Sequence, residues 1–297
     1  MTAGAAELAV VVASVNGRPY LLDCLDALAR RAPEAEVVVA DWTDEETRRA
    51  VRERWPGVTL LSFDEPMAVP ELRAAGIFAS QAPHVAVIED HCNVRDGWAE
   101  RILAAHRGGQ HVVGGSIRNE PYRRVRDWAA FFCEYSAFME PAPAGPVDDL
   151  PGMNVSYDRE ALAAIDDLLR EGRWESDLHP RLRERGFVLW CDPGAVLDHA
   201  KDFGIREFLS QRYHYSRSFA GMRNARLGPR RWLYALGSPL LVPIMLRRIA
   251  RNVLSRGTHR RELALAAPLI LLYTAVWAAG EAIGYACGGG RSLLRVR

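Results

Sequence analysis

The first 115 residues alternate between two patterns of hydrophobic and polar positions. Short apolar runs rich in β-branched residues are typical of strands buried on both faces. The segments between these runs place apolar residues at helical spacing, as at Leu21, Leu25 and Leu28. The predicted strands are 8–14, 35–41, 58–63, 84–89 and 110–117, and the predicted helices are 21–28, 44–54, 70–81 and 97–106. Strands interleaved with helices predict an α/β fold with a mainly parallel sheet flanked by helices.

Two of the predicted strands end in acidic residues, at the carboxyl ends where open parallel sheets bind ligands. Asp41 ends the second strand; a carboxylate there can accept hydrogen bonds from a ribose or a base, although aspartate is also a common helix cap. Glu89, Asp90 and His91 lie at the end of the fourth strand. Glu89 and His91 point the same way in an extended segment, so they could hold Mn²⁺ or Mg²⁺ with a diphosphate supplying further oxygens. A polar turn at the strand end is the alternative.

The middle of the chain adds a second group of acidic candidates. Residues 141–151 form a loop by composition, followed by predicted helices at 159–170 and 178–185, a strand at 187–191 and a basic amphipathic helix at 205–217. Glu175 and Asp177 lie just before the second helix. Acidic residues there favour the helix dipole, and either carboxylate could instead act as a general base that deprotonates an acceptor hydroxyl.

Three further side chains are candidates on residue type alone. His199 follows the strand at 187–191 and a Pro-Gly turn, and it is either a third metal ligand or a surface histidine. Arg212 and Arg217 lie among aromatic residues on the basic helix. They could clamp a phosphate or reach a lipid headgroup, or they could be solvated arginines.

The charge distribution divides the chain into an acidic body and a basic C-terminal third. Residues 201–297 contain 17 Lys and Arg against 4 Asp and Glu, and the first 200 residues contain 21 against 33. The basic residues alternate with long apolar runs, which favours anionic lipid over nucleic acid as the partner. The five cysteines are scattered without C-x-x-C spacing, which suits a reduced cytosol and excludes a disulfide-stapled or zinc-finger protein.

The C-terminal third contains two uncharged segments, at 232–246 and 263–280. They would extend about 22 and 27 Å as helices, against about 30 Å for the hydrocarbon core of a bilayer. Six arginines lie between them, and two crossings would leave these outside, against the positive-inside tendency. We therefore predict a catalytic domain at 1–220 and a membrane-associated region at 221–297, whose helices lie in the interface at the cytoplasmic face of the plasma membrane. A single span by the second segment and two buried helices of a soluble domain are the alternatives.

Five motifs occur in an order that resembles family 2 glycosyltransferases of the GT-A fold. The resemblance covers residues 8–217. The motifs read SVNGRPYLLDCLDAL, EVVVADWTDEET, PELRAAGIFASQAPHVAVIEDHC, LPGMNVSYDREAL and WESDLHPRLRERGFVLWCDPGAVLDH. The family's D-x-D motif reads Glu-Asp-His here, and its acidic pair before Asp-Leu reads Trp174-Glu175. A G-E-x-x-G-Y sequence that begins at Gly280 is similar to that of membrane-associated members.

The resemblance implies an inverting transfer of a sugar from a nucleotide-diphosphate-sugar donor to a hydroxyl acceptor, and the basic, apolar C-terminal third suggests that this acceptor is lipid-linked. Mn²⁺ or Mg²⁺ would offset the charge of the leaving diphosphate. By position in the motifs, the nucleotide-binding residues would be Ser14, Asn16, Asp41, Arg73 and Asp90; the metal ligands Glu89, His91 and His199; the base Glu175, with Asp177 as its rival; and the acceptor contact Asn154. Arg212 and Arg217 are candidate acceptor or phosphate contacts on residue type.

Two other functions share parts of this pattern. A nucleotidyltransferase also has an α/β layout and a metal, but it normally has a glycine-rich loop after the first strand, and SVNGRP holds one glycine. A non-catalytic membrane scaffold with a degenerate GT-A fold would explain the Glu-Asp-His sequence. Retention of several separate acidic and histidine positions favours the enzyme.

Overall fold

A computed structural model describes residues 6–296 of the chain. It contains a nine-stranded sheet with the order β3-β2-β1-β4-β8-β6-β9-β5, and β7 pairs with β9. The strands are β1 (Leu8–Ser14), β2 (Glu36–Asp41), β3 (Thr59–Ser62), β4 (His84–Glu89), β5 (Cys92–Val94), β6 (Val112–Asn119), β7 (Gly145–Val147), β8 (Val155–Asp158) and β9 (Leu189–His199). Residues 1–5 and 297, at the two ends of the predicted domains, lie outside the described residues.

The sheet is mixed rather than mainly parallel. The pairs β1–β2, β1–β4, β2–β3 and β6–β9 are parallel, and the pairs that β8 makes with β4 and β6, and that β9 makes with β5 and β7, are antiparallel. The parallel part is the segment whose strand–helix alternation was clear in the sequence. The antiparallel strands β5, β7 and β8 are three or four residues long, too short to give a period-2 signal.

The helices are α1 (Tyr20–Arg31), α2 (Glu45–Arg54), α3 (Val69–Ala79), α4 (Trp98–Arg107), α5 (Val125–Tyr135), α6 (Arg159–Ala164), α7 (Asp166–Arg170), α8 (Glu175–Glu184), α9 (Ile205–Leu227), α10 (Arg231–Gly237), α11 (Leu241–Arg256) and α12 (Arg260–Cys287). Every residue of β1 is buried, as expected for a central strand covered on both faces. The predicted helix at 159–170 is divided at Ile165 into α6 and α7.

The chain forms two compact units. The first contains Met1–Pro121 and Phe138–Lys201, and the second contains Tyr122–Ala137 and Asp202–Arg297. The predicted boundary after residue 220 falls inside α9, and the second unit includes α5, which comes much earlier in the sequence.

The second unit is helical. Its α9 packs along α12, and α5, α10 and α11 also pack against α12. Two of its helical segments, Gly228–Arg256 and Arg260–Cys287, are long and apolar enough to cross a membrane.

Candidate functional site

The carboxyl ends of three parallel strands form the edge on which the candidate site lies. Ser14 and Asp41, the last residues of β1 and β2, are register partners, and Glu89, the last residue of β4, pairs with Ala13. The residues predicted from strand ends therefore lie side by side, because parallel strands end at the same edge of a sheet.

Arg73 links two carboxylates that are distant in the sequence. Its guanidinium Nη2 donates to Glu89 and its Nη1 to Glu175, and all three side chains are largely buried. Burial alone would lower the pKa of Arg73, but the charges of Glu175 and Glu89 outweigh it and raise the pKa above its ordinary value. The group is therefore a permanent cation between two anions, with a net charge of about −1 when both carboxylates are ionised.

Glu175, rather than its rival, faces this cluster. It is the first residue of α8, and a Cβ placed on Gly152 would collide with its carboxylate. Asp177 is more exposed, and its nearest basic group is Arg173, at 3.8 Å from Nη1 to Oδ2. Gly152 was not predicted as a site residue, although it is the glycine of the G-x-N motif; it leaves the room that Glu175 occupies.

A hydrogen-bonded chain behind Glu175 was also missed from the sequence. The Tyr157 hydroxyl lies 3.1 Å from His179 Nε2, and His179 Nδ1 lies 2.6 Å from Asp149 Oδ1. Because a carboxylate only accepts, Nδ1 carries the hydrogen and Nε2 accepts from Tyr157. Tyr157 and His179 are almost fully buried, and His179 is one turn after Glu175 on the same face of α8. The chain thus fixes α8 to β8 and to the loop that carries Asp149 and Gly152.

Asp90 is a buried anchor for the loop after β1. Its Oδ2 accepts from the backbone N–H groups of Val15, Asn16 and Gly17 at 2.9, 2.6 and 3.1 Å, and its Oδ1 accepts from the Asn16 side chain at 2.7 Å. Burial alone would raise the pKa of Asp90, but hydrogen bonds from His91 and Asn16 outweigh it and hold the pKa below its ordinary value. Asp90 and Asn16 therefore shape the loop together, and the carboxylate of Asp90 is fully enclosed.

The residues predicted as metal ligands supply two well-placed donor atoms. Asp90 Oδ1 lies 3.2 Å from His91 Nδ1, and His91 Nε2 lies 3.4 Å from Glu89 Oε2. Asp90 thus contacts one ring nitrogen of His91, Nδ1, and the other nitrogen, Nε2, faces Glu89. Carboxylates orient metal-binding histidines in this way. Glu89 Oε2 and His91 Nε2 are therefore the two donor atoms that would hold a divalent ion.

His199 lies beside His91 without completing a set of three ligands. The two rings are edge-on, with centroids 4.9 Å apart. Burial, followed by the nearby charges of His91 and Lys201, lowers the pKa of His199 well below its ordinary value. Within residues 6–296, no group of three or more His, Cys, Asp or Glu side chains is arranged to hold an ion. An ion at Glu89 and His91 would therefore take its remaining ligands from bound substrate or water.

Two predicted contacts are occupied by the protein itself. The Asp41 carboxylate is fully buried, accepts from Thr43 Oγ1 at 2.7 Å and pairs with Arg48 Nε at 3.0 Å. Arg48, which the sequence reasoning missed, is itself buried on α2. Asn154 is fully buried too: it accepts from Trp98 Nε1 at 2.8 Å, and its Nδ2 donates to two backbone carbonyls at 2.9 and 3.0 Å. The Asp41 carboxylate and the Asn154 amide therefore stabilise the backbone around the site, because neither group faces open space.

The remaining predicted residues are Ser14, at the edge of the site, and two arginines of the second unit. Ser14 is fully buried at the end of β1, and its hydroxyl has no hydrogen-bond partner within the described part of the chain. Arg212 and Arg217 belong to the second unit. There Arg212 stacks on Trp277, 4.0 Å from the ring centroid, and Arg217 Nε donates to the carbonyl of Gly288 at 3.2 Å.

Comparisons with known proteins agree on a glycosyltransferase fold. The family described as "Glycosyl transferase family 2" matches residues 9–165. The mannosyltransferase PcManGT from Pyrobaculum calidifontis, solved in complex with GDP-Man and Mn²⁺, is 16% identical with a TM-score of 0.56, over 95% of this chain and 87% of that chain. S. aureus TarS is 13% identical with a TM-score of 0.51, over 93% of this chain and 55% of that chain. TarS 1-349 in complex with UDP is 14% identical with a TM-score of 0.51, over 93% and 90%.

These similarities confirm the GT-A type of α/β fold predicted from the sequence. No curated protein sequence matches the chain.

Proposed function

Because the chain belongs to glycosyl transferase family 2, we propose that it transfers a sugar from a nucleotide-diphosphate-sugar to a hydroxyl acceptor, with inversion at the anomeric carbon. The observation that carries the proposal is the Glu89–Arg73–Glu175 cluster at the carboxyl edge of the sheet. It combines a carboxylate suited to proton transfer with a second carboxylate and a histidine suited to a metal ion.

Glu175 is the proposed base. It takes the proton of the acceptor hydroxyl as that oxygen attacks the sugar, and the bond to the diphosphate breaks on the opposite side. Arg73 holds the Glu175 carboxylate in place through the contact of its Nη1. After transfer, the carboxyl group returns the proton to solvent. Asp177 has no part in this step, because Glu175 is the carboxylate held in the cluster.

Glu89 Oε2 and His91 Nε2 would hold Mn²⁺ or Mg²⁺, which would offset negative charge on the leaving diphosphate. Asp90 orients His91 through Nδ1, and Arg73 occupies the other oxygen of Glu89. Through the same Asp90 carboxylate, the loop of Val15, Asn16 and Gly17 is held beside the metal ligands. We propose that the nucleotide binds against this loop and the end of β2.

The second unit would associate the enzyme with the cytoplasmic face of the plasma membrane. Its two apolar segments support membrane association, and the scattered free cysteines suit the reducing cytosol. A lipid-linked acceptor follows from that placement, since its hydroxyl would be presented at the membrane surface.

Ligand-dependent stability tests the donor site directly. The melting temperature of the purified protein is measured with Mn²⁺ and a panel of nucleotide-sugars, for the wild type, for Glu89→Gln/His91→Gln and for Glu184→Gln, a matched exposed control on α8. A donor at about 100 times its Kd adds about 2.7 kcal/mol of stability. We expect metal-dependent stabilisation by one donor in the wild type and the control but not in the double variant. No response to any donor would contradict the proposal and favour the non-catalytic scaffold.

A further inference from the structure

The second unit exposes an apolar stripe that no part of its own helices covers. Leu233, Leu236, Leu240 and Ile244 are 72%, 80%, 66% and 58% exposed. Their spacing of three, four and four residues puts them on one face of the continuous helical segment that contains α10 and α11. Large apolar side chains this exposed, in a row, mark an interaction surface rather than ordinary surface composition.

The same helical face becomes basic where the stripe ends. Arg247, Arg248 and Arg251 are exposed and continue the spacing from Ile244 by three, four and seven residues. From Leu233 to Ile244 the helix rises about 17 Å, which is about half the 30 Å thickness of a bilayer's hydrocarbon core. The stripe is therefore too short to cross the bilayer, and it ends in guanidinium groups that bind phosphate well.

A second exposed apolar stripe lies on α12. Leu265, Leu271, Leu272 and Ile283 are between 40% and 54% exposed, and the exposed positions between them are alanines and Pro268. The opposite face of α12 is buried, from Ala266 to Tyr285. One-sided exposure of this kind suits a helix lying in an interface with its other face on protein.

The packing of α9 argues against a crossing by α12. Phe208 and Tyr273 have ring centroids 4.6 Å apart, and a Cβ placed on Gly284 would collide with Ala220. Contacts between the two helices therefore advance in the same direction along both, so α9 runs parallel to α12 from Phe208 to Ala220.

The charged residues exposed on α9 also argue against a membrane crossing by α12. Arg206 and Glu207 are exposed on α9 just before Phe208, so a crossing by α12 would carry these two charges into hydrocarbon at the level of Tyr273, where they are costly.

We propose that the second unit inserts into a single leaflet of an anionic membrane and does not cross it. The stripe of Leu233, Leu236, Leu240 and Ile244 enters the acyl chains, the exposed face of α12 lies along the headgroup boundary, and Arg247, Arg248 and Arg251 meet the lipid phosphates. The inference deepens the proposed membrane association and does not depend on sugar transfer, because both readouts below work without a donor.

Vesicle binding is the first measurement. The full chain is floated with phosphatidylcholine vesicles that contain about one quarter phosphatidylglycerol, and with pure phosphatidylcholine. We expect binding to the anionic vesicles, a loss of more than tenfold in Leu233→Glu/Leu236→Glu, and weaker, less charge-selective binding when Arg247, Arg248 and Arg251 are replaced by Gln. Val188→Glu, at an exposed apolar residue of the first unit, is the matched control and should bind like the wild type. Absence of vesicle binding would overturn membrane association itself.

Sidedness is the second measurement, and the chain holds its own reporter. Cys287, at the end of α12, is an exposed free cysteine, whereas the other four cysteines are buried. A membrane-impermeant maleimide is applied to inverted membrane vesicles and to intact spheroplasts of cells expressing the wild type or Ser255→Cys/Cys287→Ser, which reports the end of α11. We expect both positions to react in inverted vesicles and neither to react in spheroplasts. Reaction of the two positions from opposite sides would overturn the single-leaflet insertion while leaving membrane binding intact.

Discussion

Replacing Arg73 by Met removes the one cation between Glu89 and Glu175 and keeps a side chain of similar length. The side chains of Arg73, Glu89 and Glu175 are 6%, 18% and 14% exposed, so water screens the two carboxylates poorly once the guanidinium is gone. Breaking a buried ion pair by removing one partner typically costs about 3–5 kcal/mol, because the other charge is left uncompensated. We expect Arg73→Met to lower the free energy of unfolding by about that amount at pH 7.5.

The assay is urea unfolding of the variant and of double variants that also remove one negative charge. If the loss of stability comes from buried carboxylates left without a cation, adding Glu175→Gln or Glu89→Gln to Arg73→Met should raise the free energy of unfolding again by about 1–3 kcal/mol. Arg170→Met is the matched control, since Arg170 pairs with Asp166 on the exposed surface of α7 and such pairs contribute about 0–1 kcal/mol.

Two results would refute this reasoning. A loss for Arg73→Met no larger than that for Arg170→Met would mean that the cluster is effectively solvated. Strictly additive effects of Arg73→Met and Glu175→Gln would mean that the two side chains do not interact, and Arg73 would then lose its proposed role in holding the base.

Three further predictions follow from single contacts. Gly152→Ala places a Cβ against the Glu175 carboxylate, so we expect slower turnover with unchanged donor affinity, as measured by calorimetry on the same preparation. Tyr157→Phe leaves His179 Nε2 without its donor, and urea unfolding should show a free energy of unfolding lower by about 1–3 kcal/mol. No measurable decrease would contradict the buried hydrogen-bonded chain. Burial lowers the pKa of His106 to about 4, below its unfolded value of about 6.5, so His106 binds its proton mainly in the unfolded state, and stability should fall as pH drops from 6.5 towards 4, by up to about 3 kcal/mol. In a His106→Gln variant, the stability should depend less on pH over this range. A pH dependence equal to that of the wild type would contradict the assignment of the effect to His106.

The sequence was most informative where local pattern and burial agree. The bounds of β1 and β4 were predicted to the residue, because each is an apolar run with polar ends in a parallel sheet. The strand predicted at 187–191 continues to His199, through Pro193 and Gly194, which read as a turn. Its pairing with β5, β6 and β7 overrides that local signal, and such pairing is not visible from one segment alone.

The helix α5 was not predicted from the sequence. Seven consecutive residues of α5, from Asp127 to Cys133, are buried whether polar or apolar, so burial does not follow the helical spacing of apolar residues that a sequence pattern detects. Its membership of the second unit also explains why a single cut in the chain cannot separate the two units.

The candidate site was only partly readable from the sequence. The end of an apolar strand pointed to Glu89, and the start of a predicted helix pointed to Glu175. What joins them is Arg73, 102 residues from Glu175, and no spacing rule relates positions that far apart. The contact of Gly152 with Glu175 and the burial of Asp41 by Arg48 join residues that are closer in the sequence, but they too depend on tertiary packing.

The most direct test of the account is turnover by Glu175→Gln with the donor that stabilises the wild type. Donor affinity is measured by calorimetry and donor consumption by phosphorus NMR, for the wild type, Glu175→Gln and Asp177→Asn. General-base catalysis contributes about 10²–10⁴-fold, so Glu175→Gln should bind the donor as the wild type does and turn over at least about 100-fold more slowly, while Asp177→Asn stays close to the wild type. Full turnover by Glu175→Gln, or its loss in Asp177→Asn alone, would contradict the assignment of Glu175 as the base.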